Sequence, residues 1–170
     1  MSSLTVCGTP PTSPTPPSPY TLSYSLTLPG QPYSAGVARD AVRTVLRTHH
    51  LTPLIPLTQQ VTAELMAAGW HHSPGEDLYL SLRYRDDSLR VIVYDSHTPH
   101  TQPRLAALCE ARRRSHLRVL AALVKDCRGD WGFGPAREPG GGTRSWARLP
   151  TSPTSPASPQ AAGRPERVAI

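Results

Sequence analysis

The side chains able to do chemistry are few and widely separated along the chain. Three cysteines, Cys7, Cys109 and Cys127, are odd in number, far apart and form no CxxC pair. Neither a disulfide framework nor a zinc site is therefore indicated. The seven histidines include the pairs His49-His50 and His71-His72, but adjacent residues on a helix point about 100° apart and cannot share one metal ion. Glu64 falls within a helical pattern and by itself reads as a solvated carboxylate. Asp95 ends an apolar run, where an aspartate commonly closes a strand and starts a turn. The one basic run, Arg112-Arg113-Arg114, is shorter than the clustered stripe that a phosphate-tracking surface needs.

These residues must be positioned by the elements that the apolar pattern predicts. Leu22, Tyr24, Leu26 and Leu28 alternate with Ser and Thr over 20–28, a half-buried strand ended by Pro29-Gly30. From Ser34 as N-cap, Ala38, Ala41, Val42, Val45 and Leu46 follow helical spacing. A second helix runs from about Leu54 to His71 on a stripe of Leu54, Leu57, Val61, Leu65 and Ala68, closed by Ser73-Pro74-Gly75. Leu78 to Tyr84 and Leu89 to Tyr94 then form a hairpin around Asp86-Asp87, which leaves Asp95 at a strand end. Residues 96–111 are polar with prolines at 99 and 103 and read as a mobile loop or lid. A third helix near 115–126 carries Leu117, Leu120, Ala121 and Val124 on one face. Short strands at 131–134 and 144–149 flank the glycine run. The order β, α, α, β, β, loop, α, β, β implies an α+β two-layer sandwich, a mixed or antiparallel sheet of about five strands with three helices on one face.

The 170 residues fit one domain, 20–149, between two ends rich in Pro, Ser and Thr, 1–19 and 150–170. Such ends bury too little apolar surface to offset the loss of chain entropy and are expected to be disordered. No apolar run approaches the roughly 20 residues that span a bilayer, and the N-terminus has no signal-like core, so the expected location is the cytoplasm. The net charge of +6 comes almost wholly from scattered arginines, Lys125 being the single lysine. Dispersed charge of this kind marks a solvated surface and is compatible with acidic protein partners. A nucleic-acid-binding reading rests on net charge alone.

Taken in order, ELMAAGWHH on the second helix, VIVYDS at a strand end, and DWG, GGG and SWARL after the third helix resemble the histidine-kinase-like ATPase (Bergerat) fold. Within that fold the chain resembles small stand-alone actinomycete proteins related to the anti-sigma-factor serine kinases, over about Leu22 to Leu149. In that family the second helix carries a glutamate, an asparagine and often a histidine at four-residue spacing, which stacks them on one face. Here they are Glu64, Ala68 and His72. The resemblance makes Glu64 the general base near a terminal phosphate, whereas Ala68 replaces the asparagine that helps to hold magnesium. Asp95 matches the aspartate that accepts a hydrogen bond from adenine, and His97 stands where a glycine usually makes room for the base. Arg114, Ser115, His116 and Leu117 occupy the second glycine box, where backbone amides approach the phosphates. Gly140, Gly141, Gly142 and Trp146 resemble the last box, with Thr143 one residue out of register, and Trp146 itself reads as a core residue of the last strand.

What the resemblance implies is a regulatory protein of ATP-binding fold that acts by binding a sigma factor or an anti-sigma-factor antagonist, with weakened or lost nucleotide chemistry. ATP is then a conformational ligand at most, magnesium has lost a ligand, and pairing through the sheet as a homodimer is expected. The other reading is an active ATP-dependent serine/threonine kinase of an anti-sigma-factor antagonist.

Overall fold

The computed structural model of the protein describes residues 13–136 and 141–151. Cys7, Gly140 and most of both proline-rich ends lie outside them. Five strands, β1 (Ser23–Leu28), β2 (Leu78–Arg85), β3 (Ser88–Asp95), β4 (Asp130–Pro135) and β5 (Thr143–Pro150), make one sheet in the order β1-β2-β3-β5-β4. Every pairing is antiparallel. Four helices accompany it: α1 (Ser34–Thr48), α2 (Ile55–His72), α3 (Pro103–His116) and α4 (Arg118–Asp126).

Strand alternation decides which face is covered. Leu78, Leu80 and Leu82 of β2, Leu89, Val91 and Val93 of β3, and Ala147 and Leu149 of β5 are fully buried against the helices. Their partners in the core are Ala38, Val42 and Leu46 of α1, Val61, Leu65 and Met66 of α2, and Leu120 and Val124 of α4. Because α2 packs both on the sheet and on α1, it is apolar around more of its circumference than a surface helix. The hairpin turns at Asp86 and Asp87 with φ of 53° and 48°, the left-handed pair that matches the twist of the flanking strands.

Three expectations are corrected. The segment 96–111 is not wholly a loop, because α3 begins at Pro103. A proline is tolerated in a helix's first turn, where its missing N–H costs nothing, and Leu105 to Arg114 are mostly good helix formers. Ser34 is the first helical residue, not the N-cap, and its Oγ is buried without a partner among the described residues. Trp146 is half-buried on the face of the sheet away from the helices, with its indole over Gly132, and so is not part of the core. The fold also reaches slightly beyond 20–149: Ser18 accepts a hydrogen bond from His49 Nδ1 at 2.6 Å, and Thr151 Oγ1 bonds Tyr84 at 2.8 Å and the Asp87 carbonyl at 2.9 Å. No described helix is long and apolar enough to cross a membrane.

Candidate functional site

At the end of β3 the chain passes through 96–102 and returns as α3, which brings Arg113 back over Asp95. Arg113 Nη1 donates to Asp95 Oδ2 at 2.7 Å and Nη2 donates to Oδ1 at 3.2 Å. Nη1 also donates to Ser145 Oγ of β5 at 3.1 Å, and the His97 backbone N–H donates to Asp95 Oδ1 at 3.1 Å. Asp95 is 4 % exposed and Arg113 2 %. A bidentate, charge-assisted pair in this setting satisfies both carboxylate oxygens and leaves little acceptor capacity for a ligand.

Thr143, opposite Asp95 in the β3–β5 register, donates its hydroxyl to the His97 carbonyl at 2.7 Å and fixes the start of the connection. Gly142 precedes it at φ +82°, and any Cβ there would collide with the Asp95 carbonyl oxygen. This glycine is therefore required by close backbone approach as well as by its dihedral.

Around the pair lies a group of histidines contributed by three elements. The His72 ring meets His97 edge-on at 5.7 Å and His116 at 5.3 Å, His71 lies 4.7 Å from His116, and His100 lies 5.1 Å from His97. Cys109 Sγ is 3.0 Å from His97 Nε2. His72 Nδ1–H donates to the Ala68 carbonyl at 2.8 Å, which fixes its tautomer. Burial lowers the His72 pKa to about 4 against the opposing effect of that hydrogen bond, with the Arg113 charge adding to the fall. His97 and His116 are pushed down by burial first and by neighbouring cationic groups second.

Of the residues singled out in the sequence, His72, Asp95, His97, His116 and Thr143 gather here. Ala68 enters only through its carbonyl, since its methyl group is 1 % exposed and packs in the core. Glu64 is half-buried two turns before His72, accepts from Gln60 Nε2 at 3.0 Å, and lines neither cleft beside α3. Arg114 is exposed and lies over the Phe133 ring at 5.4 Å. Sequence reasoning missed Arg113, His100 and Cys109. The first was hidden in a basic run, and the other two acquire neighbours only when α3 folds back.

The site thus holds a buried ion pair, a group of imidazoles and one cysteine, with Glu64 apart from them. In comparisons with protein-family models and with curated proteins, no family model and no curated protein matches the chain.

Proposed function

We propose that the chain is a regulatory protein-binding module, similar to the anti-sigma-factor kinases in fold but without their phosphoryl transfer. The observation that carries this reading is the buried Asp95–Arg113 pair. It fills with protein charge the position that the resemblance would give to adenine, while the core methyl group of Ala68 offers no oxygen to magnesium. The partner is a sigma factor or an antagonist protein with an acidic surface. Supporting this is the open face of the sheet, where Tyr79, Tyr94, Ile92 and Trp146 are flanked by arginines. Arg148 is paired with Asp130 and Arg90 with Asp86, but Arg83 and Arg144 have no carboxylate partner among the described residues. An aromatic and arginine-rich surface is the composition that protein interfaces favour.

Titration of the purified chain with ATP by calorimetry, with magnesium and with a chelator, is expected to give no saturable heat. Tight magnesium-dependent binding or phosphoryl transfer to an antagonist would establish the kinase reading instead. Binding to the sigma factors and antagonists of the same cell is the complementary measurement. The expected result is capture of one of them, weakened at least about tenfold by Arg83→Glu/Arg144→Glu, since like charge across an interface opposes association. Capture that is indifferent to this double reversal would place the interface elsewhere.

A further inference from the structure

We propose that His97, His100 and Cys109 form a three-ligand site for a zinc-class divalent cation, closing the loop between β3 and α3. The donor atoms of these three side chains lie within 4.8 Å of one another. His97 Nε2 and Cys109 Sγ are 3.0 Å apart. In a tetrahedral site with metal–nitrogen bonds of about 2.0–2.1 Å and metal–sulfur bonds of about 2.3 Å, neighbouring donors stand about 3.3–3.6 Å apart. Small rotations of side chains that are exposed or half-buried reach this spacing, and His100, the exposed one, is the freest to move.

The chemistry of the donors selects the ion. Two imidazoles and a thiolate suit zinc and other borderline-soft cations and discriminate against magnesium and calcium, which take oxygen. Asp95 does not compete, because Arg113 occupies its carboxylate. The His97 backbone is fixed on both sides, its N–H bonding Asp95 and its carbonyl accepting from Thr143, which anchors the start of the loop that carries both histidines. The three ligands line a cleft that His72 also lines. With Nδ1–H committed to Ala68, His72 Nε2 carries a lone pair, and among the described residues it is buried without a hydrogen-bond partner. The cleft therefore holds an imidazole lone pair that no described residue satisfies. Water completes the coordination.

Bound metal would tie the connection after β3 to the first turns of α3, the segment that carries Arg113 over Asp95. Metal binding by His97, His100 and Cys109 requires neither the proposed partner nor the loss of ATP chemistry, and would stand if either failed.

The full reduced chain, freed of metal by a chelator and desalted, is titrated with Co²⁺ and then with Zn²⁺. The expected result is one Co²⁺ per chain with thiolate-to-cobalt charge-transfer absorption and the intense visible bands of four-coordination, all displaced by Zn²⁺ and unaffected by excess Mg²⁺. Cys109→Ser should abolish the charge-transfer band, and His97→Ala or His100→Ala should weaken Zn²⁺ binding at least about 10- to 100-fold, the loss usual for disturbing even a ligand's supporting contacts. Cys127→Ser should change neither. Zn²⁺ should also raise the thermal midpoint of the wild type and leave that of Cys109→Ser unmoved. His100 is exposed and Cys109 half-buried, so both variants are expected to keep the metal-free circular dichroism of the parent. Absence of saturable Co²⁺ binding, a spectrum that survives in Cys109→Ser, or Zn²⁺ affinity indifferent to His100→Ala would each overturn the assignment.

Discussion

Replacing Arg113 with methionine is expected to lower the free energy of unfolding by about 3–5 kcal/mol, the range for removing one partner of a buried ion pair. The guanidinium makes three hydrogen bonds from an almost fully buried position. Without it, Asp95 keeps only the bond from the His97 backbone N–H, and its carboxylate is left in low dielectric with no counter-charge. Most of the loss therefore reflects the stranded aspartate and not the net worth of the pair, because both ions lose their hydration on burial. The double variant Asp95→Leu/Arg113→Met should consequently recover much of the stability lost by the single one, a strong non-additivity between residues in direct contact. Urea unfolding of the parent, both single variants and the double variant, with unchanged m-values, measures the coupling. A loss below about 1 kcal/mol for Arg113→Met, the level of an exposed pair, would mean that Asp95 is accessible to solvent and ligand after all.

Much of the scaffold is legible because its signals are local. The alternation of Leu78 to Tyr84 against Leu89 to Tyr94 and the two consecutive aspartates between them mark the hairpin from composition alone. The helical stripes of α1 and α2 likewise agree with the faces that are buried. What escapes notice has non-local causes. Pro103 is read as a breaker when its neighbours decide that it starts α3. Arg113 looks like its exposed neighbours Arg112 and Arg114, and only the rotation of α3 turns it inward while they face solvent. His97 and His100 stand three residues apart, but Cys109 joins them only through the first turns of α3, which the sequence reads as loop. Asp95 was recognisable as a strand end with chemical potential, but its partner could not be read without the tertiary fold.

Whether α2 lines an open pocket or only the core is tested most directly at Ala68. Asparagine at this position restores the residue type that the resemblance assigns to magnesium. In an open pocket the substitution would cost little and would add an oxygen ligand. Here the Ala68 methyl group is 1 % exposed and belongs to the core cluster formed by α2 with β2 and β3, so an amide must displace well-packed neighbours and give up its hydration. Overpacking costs about 1–3 kcal/mol and a buried polar group without partners about 1–3 kcal/mol more. Ala68→Asn is therefore expected to destabilise the fold by about 2–6 kcal/mol without conferring magnesium-dependent ATP binding. Thermal unfolding and ATP calorimetry on the same preparation separate the two ideas. A variant that melts with the parent and binds ATP only with magnesium would show that α2 faces an open nucleotide pocket, and both the sealing role of Arg113 and the proposed loss of phosphoryl chemistry would fall with that result.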